Sequence, residues 1–65
     1  MEYAVTMKAT EKTYEYLVYR IHDDNTFDMV SIDFKAAHDR FPTHIGNNVD
    51  AMVVLQAHAA ELFED

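Results

Sequence analysis

The chain has 65 residues and no cysteine; a single domain of this size buries only about 60% of its unfolded surface, so with disulfides excluded, self-association becomes the leading support for the fold. Twelve Asp and Glu against five Lys and Arg give a formal charge of −7, which argues against direct nucleic-acid binding and against docking on anionic lipid, both of which rest on Lys and Arg. The longest apolar run, from Ala51 to Leu55, is too short to cross a bilayer, and no basic stretch followed by an apolar one opens the chain, so a cytoplasmic protein is expected.

From Glu2 to about Ala9 the side chains alternate, with Tyr3, Val5, Met7 and Ala9 on one side and Glu2, Ala4, Thr6 and Lys8 on the other, which is strand periodicity. Thr10-Glu11-Lys12 is polar, and Thr13 to His22 is dense in aromatic and β-branched residues that fill a pleated surface well. A turn at Glu11-Lys12 would place Lys8 opposite Glu15 and gather Tyr3, Val5 and Met7 with Tyr14, Tyr16 and Val18. A loop one residue longer would move them to the Leu17/Tyr19/Ile21 side; the ion pair favours the first register.

Asp23-Asp24-Asn25-Thr26 has the composition of a turn, and a third strand follows from Phe27 to about Asp33. Taken as a four-residue loop, it sets Ile21 against Asp28, Tyr19 against Val30 and Leu17 against Ile32. The expected core face then collects Leu17, Tyr19, Ile21, Val30 and Ile32, and leaves Tyr14, Tyr16, Val18 and Arg20 on the second face.

Asp33 is suited to cap a short helix from Phe34 to Phe41, closed by Pro42. Asn47 or Asn48 is suited to cap a second helix running to about Glu64, with Asp50 in its first turn facing the positive end of the helix dipole. On a helical wheel Val49, Met52, Val53, Gln56, Ala59, Ala60 and Phe63 cluster, and Ala51, Leu55 and Leu62 extend them to an arc of roughly 200°, where a helix lying on a sheet needs about 100°. Something besides its own sheet is expected to cover the rest. The chain therefore reads as one α+β domain over residues 1–65, a three-stranded antiparallel meander followed by a short helix and a longer C-terminal helix packed on the sheet.

Chemistry-bearing patterns are sparse. Histidines 22, 38, 44 and 58 have no Cys, no H-E-x-x-H and no helical E-x-x-H beside them, so solvated histidines are preferred to a metal site, with His58 pairing Glu61 along the helix. The Asp23–Asp28 stretch lacks the central Gly and twelfth-position Glu of a calcium loop. Ser31, the one serine, lies in a strand without a nucleophile elbow, and the one glycine, Gly46, excludes a glycine-rich phosphate loop. No catalytic residue, metal ligand or cofactor is expected.

The acidic charge has an address: residues 1–20 are neutral, nine acids and two bases follow, and no Lys or Arg occurs after Arg40. Asp23, Asp24, Asp28, Asp33, Asp39, Asp50, Glu61 and Glu64 form the candidate surface for a protein partner with a basic face. Tyr14, Tyr16, Val18, Arg20, Leu55 and Leu62 form the candidate interface with that partner or with a second copy, Tyr and Arg being enriched where binding energy concentrates. The expected function is a non-catalytic acidic interaction module, a homodimer. By analogy of size and charge with small phage-encoded inhibitors, one form of it blocks the nucleic-acid-binding surface of its partner. The alternatives are a self-assembling structural subunit without a hetero-partner and a His/Asp metal-binding module.

Overall fold

A computed structural model describes residues 1–64. Strands β1 (Glu2–Ala9), β2 (Tyr14–Ile21) and β3 (Phe27–Asp33) form an antiparallel sheet in the order β1-β2-β3. Helices α1 (Phe34–Arg40) and α2 (Asn48–Ala57) follow, and a short 3-10 helix (Ala59–Phe63) closes the described chain. This is the α+β meander with two helices that the residue pattern calls for.

The first hairpin turns at Glu11-Lys12. The Thr10 amide donates to the Thr13 carbonyl at 2.8 Å, and the Thr10 hydroxyl oxygen accepts from the Thr13 amide at 3.0 Å. Lys8 stands opposite Glu15 and Met7 opposite Tyr16, the register that the charge pair favours.

The second hairpin differs from expectation by one residue. Its loop is Asp23-Asp24-Asn25, closed by the Asn25 amide donating to the His22 carbonyl at 3.0 Å and the His22 amide to the Thr26 carbonyl at 2.8 Å. Asn25 has a φ of 69°, the left-handed conformation that ends a three-residue hairpin loop and that Asn tolerates better than most residues. The Asp24 carboxylate accepts from both the amide and the hydroxyl of Thr26, at 3.1 and 2.6 Å, which makes Thr26 the first paired residue after the turn. Ile21 therefore faces Phe27, Val18 faces Val30 and Tyr16 faces Ile32.

That single step exchanges the faces of the sheet, because side chains alternate with a period of two. Val30 and Ile32 join Tyr16 and Val18, and the helices cover that side. Tyr16 and Val18 are fully buried and Val5 nearly so, packed with Ala37 of α1, Ala51 and Leu55 of α2, Ile45 of the connecting loop and Ala59. The alanines are small enough to let the helix backbones approach the sheet closely. The Tyr16 hydroxyl donates to the Asn48 carbonyl at 2.9 Å, so the largest core side chain is polar only where it meets the start of α2, and its burial raises the pKa of its phenol.

Both helix caps lie where the side chains indicate. The Asp33 carboxylate accepts from the Ala36 amide at 2.8 Å, and the Asn47 side-chain oxygen accepts from the amides of Val49 and Asp50, both at 2.9 Å. The C-terminal helix, expected to be continuous to about Glu64, breaks at His58. His58 stacks on Phe41 at 4.9 Å between ring centroids and meets Glu61 through Nδ1 at 2.6 Å. The tighter turn after it carries Leu62 and Phe63 back onto the core.

Asn25→Gly is expected to leave the melting temperature unchanged or raise it. Asn25→Val, forcing a β-branched residue into the left-handed region, should cost about 1–2 kcal/mol, or about 4–8 °C per kcal/mol in a domain this small, as read by thermal circular dichroism.

Candidate functional site

With the helices on one side, the other face of the sheet is uncovered. Cross-strand pairing arranges it in four rows: Glu2, Ile21, Phe27; Ala4, Tyr19, Met29; Thr6, Leu17, Ser31; and Lys8, Glu15, Asp33. The apolar members are contiguous, and the polar ones lie along one end and the corners. Phe27 and Met29 are 55% and 53% exposed. Tyr19 and Phe27 meet edge to face at 5.5 Å, preferred aromatic geometry on an open surface.

A second apolar surface lies across the molecule, on the outer side of α2. Ala51 and Leu55 point into the core, so Val49 and Val53, one helical turn apart, point outward at 60% and 64% exposure. With Met52 and Gln56 they line a shallow depression. Met7 flanks the start of the helix, its sulfur 3.6 Å from the Asn48 side-chain nitrogen. Of the residues that cluster on the helical wheel, Met52 packs against the core and Gln56 donates to the Tyr3 carbonyl at 2.7 Å, while Val49 and Val53 face outward.

The six residues expected at an interface all lie on the covered side. Tyr16, Val18 and Leu55 are fully buried, and Tyr14 and Leu62 are partly buried against the core. Arg20 is committed within the chain. Its guanidinium donates from Nε to Asp28 Oδ2 at 2.9 Å and lies over the Phe63 ring at 4.8 Å. These residues hold the monomer together; the one-residue shift of the second hairpin is the reason the four on β2 are not exposed, and the packing of the helices accounts for Leu55 and Leu62.

The eight candidate carboxylates have individual surroundings. Asp28 accepts from Arg20 and lies 2.9 Å from His22 Nε2, and these hydrogen bonds hold its carboxyl below the ordinary carboxylate range. Asp24 is held low by the hydroxyl and amide of Thr26. Asp33 caps α1, Asp50 accepts from the Gly46 amide at 3.1 Å, and Glu61 pairs with His58. Asp23, Asp39 and Glu64 are exposed. Asp23 and Asp24 occupy the hairpin loop, while Asp33 lies at the far end of the seven-residue strand β3, roughly 20 Å away by strand geometry. The acids are therefore distributed over both ends of the sheet and do not form one track.

His44 and His58 approach edge to face at 6.3 Å, while His38 packs beside Phe34. Among the described residues no three His, Asp or Glu side chains converge on a point that could hold a metal ion. Ser31 is exposed on the open sheet face. No helix of the described residues is long and apolar enough to cross a membrane. No family model matches the chain, and no curated protein or solved structure matches it significantly.

Since the folded pKa of Asp28 lies below its unfolded value, its contribution to stability is present above the unfolded pKa and is lost as pH falls through the folded one. Urea midpoints measured between about pH 5 and pH 2 should decline more steeply for the natural chain than for Asp28→Asn. The variant should be the less stable of the two at neutral pH.

Proposed function

We propose that the protein is a non-catalytic interaction module that docks the outer ridge of α2 onto a partner protein with a basic surface. The observation that carries this reading is the ridge itself, Val49 and Val53 more than half exposed in a 65-residue chain. Such a chain has little apolar area to spare. The charge of the chain supports the sign of the partner: the sequence from Phe41 onward has four acids and no Lys or Arg, and Asp50 stands in the first turn of α2 beside Val49. On such a surface desolvated apolar contacts supply affinity, and the negative charge of the chain supplies orientation and encounter rate. Basic surfaces of this kind are what nucleic-acid-binding proteins present, and covering one is the inhibitory form of the same contact.

The carboxylates at the hairpin serve as a secondary, long-range contribution. Asp24 and Asp28 are already engaged with Thr26, Arg20 and His22, yet remain ionised at neutral pH, so they add to the field without forming the docking centre.

Immobilised protein should retain a partner from host lysate that is lost when Val49→Lys and Val53→Lys are introduced together. The retained amount should fall several-fold between about 50 and 300 mM NaCl, as the Debye length shortens. Retention that ignores both the substitutions and the salt contradicts this reading.

A further inference from the structure

We infer that the uncovered face of the sheet is closed by a second copy of this chain, packed face to face with its two-fold axis parallel to the strands. This surface is separate from the α2 ridge and does not depend on it. The argument is the self-complementarity of the twelve-residue grid formed by Glu2 to Lys8 of β1, Glu15 to Ile21 of β2 and Phe27 to Asp33 of β3.

A two-fold axis along the strands lays β2 on β2 and β1 of each copy on β3 of the other, while each row stays level with itself. Ala4, the smallest apolar side chain of the grid, then meets Met29 of the second copy, among the largest. Thr6 meets Ser31 and Leu17 meets Leu17. Tyr19 meets Tyr19 at the centre, beside the exposed rings of Phe27. In the charged row, Lys8 faces Asp33 of the second copy, twice by symmetry, and the two Glu15 side chains that meet at its centre lie between these lysines; in the first row Ile21 meets Ile21, and Glu2, at the corner, meets Phe27. Aligned packing with a relative twist of about 30° and a spacing of about 10 Å is what two such sheets adopt.

Size and anatomy agree with this occupant. Strand geometry gives the grid a footprint of about 25 by 14 Å, so two copies together would cover about 700 Å² in projection, and the relief of the side chains brings the accessible area buried toward the lower bound of about 1,000 Å² for a specific interface. The interface has an apolar centre (Leu17, Tyr19, Ile21, Met29) and a polar rim (Glu2, Thr6, Lys8, Glu15, Ser31, Asp33). The central four residues lie outside the core that the helices cover, so their contact with a second copy takes nothing from the fold of the first.

Sedimentation equilibrium of the full chain near 100 μM should give twice the 7.5 kDa of one chain. Met29→Glu should give the single-chain mass with an unchanged circular dichroism spectrum, because that side chain is half exposed in the monomer. Lys8→Glu should weaken dimerisation at least five-fold by setting like charges against Asp33. Val49→Lys/Val53→Lys should remain dimeric, which separates this interface from the proposed docking ridge. A single-chain mass for the natural protein overturns the inference, as does a folded Met29→Glu that keeps the doubled mass. If Met29→Glu fails to fold, Phe27→Ser supplies the same comparison at an equally exposed position.

Discussion

The register of the second hairpin is the constraint on which the rest of the molecule depends, and it is set at Asn25. Because Asn25 takes the left-handed conformation and Asp24 gathers the amide and hydroxyl of Thr26, the loop closes after three residues, and β3 pairs with β2 in the step that aligns Val30 with Val18. The core then forms on the Tyr16 side. A loop one residue longer would have turned Val30 and Ile32 toward Leu17 and Tyr19, and the helices would have met a sheet with a different apolar face. A local backbone preference of a kcal/mol or two thereby selects between two arrangements with opposite inner and outer surfaces.

The inner face is held at its two ends by different means. Near the first hairpin, Tyr16 reaches the first turn of α2 through its hydroxyl, while Asp33 and Asn47 cap the helices on either side. Near the second, Arg20 lies between Asp28 and the ring of Phe63, and His22 shares the same carboxylate oxygen. The break at His58 is what brings Phe63 there. Several acids that give the chain its charge thus have local structural duties, and the charge left to act at a distance is spread over both ends of the sheet. For that reason the proposed contacts are placed on the apolar surfaces and not on the carboxylates.

Much of the architecture was legible in the residues. The alternation from Glu2 to Ala9, the Lys8–Glu15 pair, the caps at Asp33 and Asn47 and the His58–Glu61 contact are local features, and each lies where spacing alone places it. The face of the sheet that becomes core was not legible. Both faces of β2 are apolar, so hydrophobic pattern could not decide between Tyr16 and Tyr19, and the Asn at position 25 was the one signal that could have shortened the loop. The orientation of α2 was hidden for a related reason. The helix is apolar around most of its circumference, and the side that packs is the one carrying Ala51, whose small size permits close approach, and Leu55, which fills the core beside it. The residues expected at an interface were therefore those of the core, and the open face was the one expected to be covered.

Cross-strand proton contacts in the isotope-labelled protein test the assignment of the two faces most directly. Nuclear Overhauser effects between β2 and β3 should connect Val18 with Val30, Tyr16 with Ile32 and Arg20 with Asp28, as the pairing here requires. Connections of Tyr19 with Val30 and Leu17 with Ile32 as the directly opposed pairs would contradict it, and with it the placement of the core and of both contact surfaces.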